Sequence, residues 1–77
     1  MKKVTIYSTP TCHYCGLAKD FFKEHGINYT EHNVASDLDM RKEMDEKSGQ
    51  LGVPVIDIEG QVIIGFDEGR LTEILGI

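Results

Sequence analysis

Two cysteines three positions apart, Cys12 and Cys15, carry the most evident chemistry of this 77-residue chain. Two thiols at this spacing can exchange with an external disulfide, because one sulfur attacks it and the other displaces the bound partner. Cys12 opens a predicted helix, whose unpaired N–H groups and dipole favour the thiolate form of its sulfur. Cys15 lies deeper in that helix and nearer its apolar side. We therefore predict that Cys12 attacks, that Cys15 resolves, and that the two form a disulfide.

Other interpretations of the cysteine pair stay open at this stage. The pair could be two buried core residues or half of a metal site. Covalent haem attachment is excluded because Gly16 stands where that motif needs histidine. A zinc site made of four cysteines within the chain is excluded as well, since the chain has two. We expect no metal ion and no tightly bound cofactor.

The elements that must position the pair alternate in the order β-α-β-α-β-β-α. Apolar and β-branched runs predict strands over residues 3–8, 27–34, 53–58 and 61–64, with Glu59-Gly60 turning the last two into an antiparallel hairpin. This order predicts an α/β fold, in which a four-stranded mixed sheet is flanked by three helices and residues 1–77 form a single domain. The turn that carries Cys12 then follows the carboxyl end of a parallel strand, where such sheets place their clefts.

Three helices are predicted between and after the strands. The first helix is expected to begin at Thr11 and end at Gly26, and the second to begin at Ser36 and end at Gly49. The last helix is expected to begin at Asp67. The residues expected on the buried face of the first are Tyr14, Leu17, Ala18, Phe21 and Phe22. The residues expected to be buried by the last are Leu71, Ile74 and Leu75. The second helix is predicted to be the least stable, with Lys42, Lys47 and its acidic residues on a solvated face.

Composition excludes several classes of function. Apolar residues make up 40% of the chain and charged residues 27%, which indicates a folded protein. The net charge of −5 provides no basic patch for nucleic acid or for a membrane surface. No apolar run approaches the ~20 residues of a membrane span, and the start lacks the apolar stretch of a signal peptide. We therefore expect a cytoplasmic protein, where a cysteine pair serves catalysis or metal binding more often than structure.

The residues between the cysteines each have two interpretations. A protonated His13 imidazole would stabilise the Cys12 thiolate, or His13 is an exposed residue with no role. Tyr14 either packs with its hydroxyl at the surface or shapes a substrate groove.

Two further segments also have two interpretations each. Val53-Pro54 is either an ordinary strand start or a cis peptide that aims the backbone of Val53 at a substrate. In residues 65–68, backbone N–H groups could bind a carboxylate, or Asp67 simply caps the last helix.

The chain resembles the glutaredoxins over essentially its whole length. The matching residues are Ile6-Tyr7-Ser8, Thr11-Cys12-His13-Tyr14-Cys15, Ala18-Lys19, Gly26-Ile27, Ser48-Gly49, Val53-Pro54 and Gly65-Phe66-Asp67. The resemblance implies the thioredoxin fold, disulfide exchange through Cys12, a cis Pro54 and glutathione as co-substrate. The residues that it implies for the glutathione groove are Thr9, Tyr14, Val53, Pro54, Gly65, Phe66, Asp67 and Glu68. The residues expected to tune the active site are Thr11, His13, Tyr14 and Pro54.

The chain departs from the family pattern at three places. His13 stands where proline is usual, Thr9 where many members have lysine, and Ile64 precedes Gly65 where a glycine pair is typical. Gly65-Phe66 is similar to redoxins that donate electrons to ribonucleotide reductase and are reduced by thioredoxin reductase. Asp67-Glu68 instead matches the glutathione-using members.

The sequence as a whole predicts a monomeric thiol–disulfide oxidoreductase. Its expected substrates are protein disulfides or glutathione mixed disulfides, and its other partners are low-molecular-weight thiols. The alternatives are a redoxin-type electron donor reduced by thioredoxin reductase, an iron–sulfur-binding module ligated through Cys12, and an interaction domain with inert cysteines.

Overall fold

The computed structural model describes residues 2–77, and its elements follow the predicted order. Their bounds are β1 Val4–Ser8, α1 His13–Glu24, β2 Tyr29–Asn33, α2 Leu38–Ser48, β3 Val55–Ile58, β4 Gln61–Ile64 and α3 Glu68–Leu75. β3 begins two residues later than predicted, after Pro54, which has no N–H for a strand ladder. Within residues 2–77, no helix has both the length and the apolar content to cross a membrane.

The four strands form one mixed sheet in the order β2-β1-β3-β4. β1 is parallel to β2 and antiparallel to β3, and β3 is antiparallel to β4. The hairpin between β3 and β4 turns at Glu59 and Gly60, whose φ angles of 50° and 94° suit the tight turns that join twisted strands. The predicted mixed sheet and hairpin are confirmed.

Helices cover both faces of the sheet because side chains along a strand alternate between them. Val4 and Ile6 of β1 point toward α1 and α3, in the larger apolar core. The other buried members of that core are Ala18, Phe21, Phe22, Ile56, Ile58, Ile63 and Leu71. Tyr7 points toward α2, in a smaller core with Val34, Met44 and Val55.

Two helices begin at different residues from those predicted. The residue that caps α1 is Cys12, not Thr11, and its sulfur accepts a hydrogen bond from the N–H of Cys15. The cap of α2 is Asp37, not Ser36, and its carboxylate accepts from the N–H of Met40 at 3.1 Å. A carboxylate accepts more strongly than a hydroxyl there, because the helix dipole favours negative charge at this end.

The predicted helix ends at Gly26 and Gly49 are confirmed, both with positive φ. After α1, the N–H of Ile27 bonds to the carbonyl of Phe22 at 2.8 Å, as in a Schellman motif. That bond holds Ile27 in the helix cap, and β2 accordingly begins only at Tyr29.

The buried face of α1 is rotated relative to the predicted one. Its buried residues are Cys15, Ala18, Phe21 and Phe22. Tyr14 and Leu17 are 59% and 37% exposed, so their predicted burial was wrong. The helix lies on the sheet through positions i, i+3 and i+7 counted from Cys15, which leaves Tyr14 and Leu17 at the rim. In α3, Leu71 is fully buried as predicted, while Ile74 and Leu75 are only partly buried.

The polar face of α2 is not simply solvated, which corrects the prediction for Lys47. Its ammonium donates to the Tyr7 hydroxyl at 2.7 Å and to the Asp57 carboxylate at 2.8 Å. The Tyr7 hydroxyl in turn donates to Glu43 at 2.6 Å. Burial lowers the pKa of Lys47, but the hydrogen bonds to Asp57 and Tyr7 outweigh it and leave the pKa raised. This network attaches α2 to β1 and β3, and Met44 is the buried side chain that α2 contributes.

Replacing Tyr7 with phenylalanine should destabilise the protein by about 1–2 kcal/mol, because Glu43 and Lys47 lose a partner in a partly buried site. Urea unfolding followed by far-ultraviolet circular dichroism measures the change. Tyr14→Phe is the matched control: its ring is 59% exposed, and the change should stay within about 0.5 kcal/mol. Equal effects of the two substitutions would contradict a stabilising role for the network.

The Asp57–Lys47 pair should make stability depend on pH. Burial raises the pKa of Asp57, but the hydrogen bonds from Lys47 and from the N–H of Gly60 outweigh it and leave the pKa lowered. A carboxyl whose folded pKa is lowered stabilises the fold above its unfolded pKa, at about pH 4. That contribution disappears as the pH falls further, through the lowered folded value. Urea titrations at descending pH should therefore show a steeper loss of stability for the wild type than for Asp57→Asn, and parallel curves would refute the assignment.

Candidate functional site

The turn that carries the cysteine pair leaves the carboxyl end of the central strand β1. The N–H of Cys12 bonds to the carbonyl of Thr9 at 3.4 Å, which closes the turn. Cys12 has extended backbone angles, φ −89° and ψ 115°, so α1 starts at the next residue. Its sulfur lies 3.1 Å from the N–H of Cys15, which donates to it. A backbone donor and the amino end of a helix both favour negative charge on this sulfur.

The two sulfurs lie in different environments. Cys12 is partly exposed and Cys15 is fully buried, and both are free thiols, so the structure describes the reduced form. Burial and, to a smaller extent, a side-chain hydrogen bond with Cys12 raise the pKa of the Cys15 thiol to about 12. A hydrogen bond from the backbone of Thr9 and the charge of Lys19 act in the opposite direction. Cys15 is therefore protonated at neutral pH, while Cys12 is the sulfur that a substrate can reach.

The side chains beside Cys12 in this turn point mainly to solvent. Thr11, His13 and Tyr14 are exposed, and Thr9 is partly buried. The His13 and Tyr14 rings meet edge to face, with centroids 5.4 Å apart and an interplanar angle of 71°. The structure therefore contains an aromatic pair at the opening of the site, and the roles predicted for these four residues stay predictions.

The pairing of the strands brings two other segments to the same edge. Tyr7 is opposite Val55 in the sheet, so Val53-Pro54, just before β3, lies beside the end of β1. The Val53-Pro54 peptide is cis, as expected, and Pro54 is buried. Within residues 2–77, the N–H and C=O of Val53 have no backbone partner. They are therefore available to pair with an extended peptide.

Residues 65–68 reach this edge because Val55 is also opposite Ile64. Gly65 has φ 82°, a conformation that favours glycine, and its N–H bonds to the carbonyl of Pro54 at 2.8 Å. Asp67 caps α3 by accepting from the N–H of Arg70 at 3.1 Å. Its carboxylate thus occupies one of the amide groups that a bound carboxylate would use.

The other two residues of this segment have contrasting environments. Phe66 packs against the larger core, with its ring 5.9 Å from that of Phe21. Glu68 is exposed. Phe66 therefore has a packing role whatever else it contacts.

A polar cluster beside Cys15 was not found from the sequence. Lys19, one turn after Cys15, donates to Glu31 of β2 at 2.9 Å, and the buried Ser8 hydroxyl donates to the same carboxylate at 2.8 Å. These bonds lower the pKa of Glu31, with the one from Lys19 contributing most, and raise that of Lys19. The spacing of Cys15 and Lys19 was a usable signal, since positions i and i+4 share a helix face. Nothing in the sequence identified Glu31 as the partner of Lys19.

Two clefts lie away from the cysteine pair. One of about 430 Å³ is lined by Lys2, Val4, Tyr29 and Leu75, at the amino ends of β1 and β2 and thus the sheet end opposite to Cys12. Another of about 270 Å³ adjoins Lys47 and Asp57. Cys12 lines neither of these two clefts. In the described part of the chain, no three His, Cys, Asp or Glu side chains group in a way that would hold a metal ion.

Comparison with known proteins agrees with this geometry. The Glutaredoxin family model matches residues 4–63. A glutaredoxin-like 8.6 kDa protein in the rubredoxin operon of Clostridium pasteurianum is 42% identical over 72 residues, which cover 94% of this chain and 96% of that protein. Glutaredoxin 3 of Escherichia coli K12 is 37% identical over 68 residues, which cover 88% of this chain and 82% of that protein.

Solved structures share the whole fold. A mutant of the thioredoxin-like protein BC3987 superimposes with a TM-score of 0.92 at 31% identity, covering 100% of this chain and 99% of the other. A glutaredoxin from Archaeoglobus fulgidus gives a TM-score of 0.87 at 22% identity, covering 97% of this chain and 87% of the other. At this identity, the likeness shows the fold alone. The predicted thioredoxin fold is thus confirmed. With the family model matching most of its length, the chain belongs to the glutaredoxin family.

Proposed function

We propose that this protein is a thiol–disulfide oxidoreductase in which Cys12 attacks the disulfide of a substrate. The observation that carries the proposal is the difference between the two sulfurs. The Cys12 sulfur is partly exposed at the start of α1 and accepts a backbone hydrogen bond at 3.1 Å, whereas Cys15 is completely buried one turn away. This arrangement gives one accessible sulfur that can attack an external disulfide and one buried sulfur that can react only after it.

The reaction proceeds in two exchanges. The Cys12 thiolate attacks one sulfur of the substrate disulfide, forms a mixed disulfide and releases the other substrate sulfur as a thiolate, which takes a proton from water. Cys15 then loses its proton and attacks the Cys12 sulfur. This forms the Cys12–Cys15 disulfide and releases the second substrate thiol. Two electrons pass from the protein to the substrate, and an external thiol later restores the reduced pair.

The substrates proposed are protein disulfides and glutathione mixed disulfides. The unpaired backbone of Val53 supports an extended substrate, because its N–H and C=O can bond to a peptide beside the attacked disulfide. Glutathione is the proposed co-substrate, in a groove between Tyr14 and the segment of Gly65 and Asp67. Such a dithiol persists in a reducing compartment, so we place the protein, as a monomer, in the cytoplasm.

Replacing the two cysteines one at a time should separate their roles. Cys12→Ser should abolish reduction of a disulfide substrate, because the accessible nucleophile is gone. Cys15→Ser should still attack but accumulate a mixed disulfide, because the second exchange has no nucleophile. Mass spectrometry after mixing with oxidised glutathione, without added reductant, measures this: the mass of one glutathionyl group should be present on Cys15→Ser and absent on Cys12→Ser.

The two variants control for each other, since each removes a single sulfur from the same turn. Disulfide reductase activity retained in Cys12→Ser would refute the proposal. A failure of Cys15→Ser to hold any mixed disulfide would remove Cys15 from the resolving role. If the thiols of the wild type did not react with oxidised glutathione or with an alkylating reagent at neutral pH, an interaction domain with inert cysteines would be the better description.

A redoxin-type electron donor is the second candidate. Ile64, which stands where the family typically has glycine, is 56% exposed at the end of β4 and fills the border of the groove with an apolar side chain. A relative of similar length is described as thioredoxin-like, which also supports this candidate. Such a protein would take electrons from thioredoxin reductase and pass them to an enzyme such as ribonucleotide reductase.

The reductant distinguishes the two candidates. We expect the oxidised protein to be reduced by glutathione in an assay coupled to glutathione reductase, with consumption of NADPH. The matched assay replaces both components with thioredoxin reductase. Consumption with thioredoxin reductase alone would favour the redoxin. Iron in protein purified without oxygen would instead favour the iron–sulfur module.

A further inference from the structure

Helix α1 carries a cationic side chain, that of Lys19, one turn after the buried Cys15. Lys19 follows Cys15 by four positions in α1, so the two side chains share the helix face that covers the sheet. The side chain of Lys19 is 25% exposed, and its ammonium donates to Glu31 of β2, whose side chain is 40% exposed.

Two groups hold this cation in place. The Lys19 ammonium donates to the Glu31 carboxylate at 2.9 Å, and the hydroxyl of Ser8 donates to the same oxygen at 2.8 Å. Ser8 is 1% exposed and immediately precedes the turn that carries Cys12. The cation is therefore bonded through Glu31 to the strand end from which the reactive turn departs.

The second exchange requires that Cys15 be deprotonated, and a nearby cation favours the deprotonated form. Cys15 must lose its proton in order to attack, yet its burial raises the pKa of the thiol. At neutral pH the thiolate is therefore scarce, and any charge that stabilises it speeds the step. A nearby cation stabilises a buried anion more strongly than it would in water, because the surroundings screen the charge poorly.

The surroundings of Cys15 offer few other charges. Cys12 lies beside it in the preceding turn and, when anionic, opposes its ionisation. From β2, Glu31 and the partly buried Tyr29 reach the neighbourhood through Lys19. β1 contributes the hydroxyl of Ser8. In the larger apolar core on the same face of the sheet, the side chains from β3, from α3 and from the segment before α3 are apolar: Ile56, Ile58, Leu71 and Phe66.

We propose that Lys19, held by Glu31 and Ser8, is a positioning residue that stabilises the thiolate of Cys15 as it attacks the Cys12 mixed disulfide. The inference rests on the proposed function, because it concerns the second of its two exchanges. In that step the sulfur of Cys15 bonds to the sulfur of Cys12, and the bond between Cys12 and the substrate sulfur breaks. The substrate leaves as a thiolate and takes up the proton that Cys15 released.

A chromogenic disulfide tests the two exchanges separately. One equivalent of 5,5′-dithiobis(2-nitrobenzoate) releases one coloured thiolate when Cys12 attacks, at a rate that depends on concentration. It releases a second coloured thiolate when Cys15 attacks. The rate of this second release does not depend on concentration, because the step is intramolecular. Stopped-flow absorbance at several concentrations, across roughly pH 6–9, measures both steps.

Lys19→Met should slow the second release roughly three- to tenfold and shift its pH profile upward, while leaving the first release unchanged. Lys19→Arg retains the charge and should restore the second release. Lys42→Met is the matched control, since it removes the same charge from an exposed position of α2, on the other face of the sheet, and should leave both rates unchanged. Lys19→Gln provides a second neutral variant should Lys19→Met fold poorly.

Each outcome bears on one proposal. An unchanged second release in the neutral variants would overturn the role of Lys19, as would equal slowing of both releases, which indicates a structural effect. If Lys42→Met slowed the second release as much, a general loss of positive charge would explain the result instead. No first release from the wild type would contradict the proposed function itself, independently of Lys19.

Discussion

The hydrogen bond from the N–H of Cys15 to the sulfur of Cys12 is the contact on which the site depends. The first N–H groups of a helix have no partner within it, so a sulfur in the cap position satisfies one of them and is itself favoured as an anion. The same turn carries the side chain of Cys15 inward, onto the sheet. One short stretch of helix therefore makes one sulfur accessible and buries the other, and the order of the two proposed exchanges rests on that difference.

The fold surrounds this turn with backbone from two distant parts of the chain. β1 is bonded on both sides, and its pairing with β3 sets Pro54 beside the turn. The pairing of β3 with β4 then brings Gly65 to Pro54, where their backbones bond at 2.8 Å. These contacts involve backbone groups rather than long side chains. The border of the site is thus formed by backbone that the sheet holds in place, whereas the rings of His13 and Tyr14 are exposed.

Features that depend on near neighbours could be predicted from the sequence, and those that depend on distant partners could not. The helix ends at Gly26 and Gly49 and the cap at Asp67 involve contacts within four or five residues, and the predictions were right. The cap of α1 was predicted one residue early, because a threonine hydroxyl is the commoner cap and nothing local reveals that a sulfur takes its place. The bonds of Lys47 to Tyr7 and of Ser8 to Glu31 join residues 40 and 23 positions apart, and only the strand register identifies them.

Consecutive residues of β1 serve the two faces of the sheet. Tyr7 points toward α2 and joins the network of Lys47, which attaches that helix, whereas Ser8 points toward α1 and joins the cluster beside Cys15. Strand side chains alternate with a period of two, so a shift of one residue in the pairing of β1 would exchange these environments. The hydroxyl of Tyr7 would then face the apolar core under α1, and Glu31 would lose Ser8. The register that stabilises α2 is therefore the same one that gives Cys15 its polar surroundings, and stability and chemistry depend on a single alignment of β1 with β2 and β3.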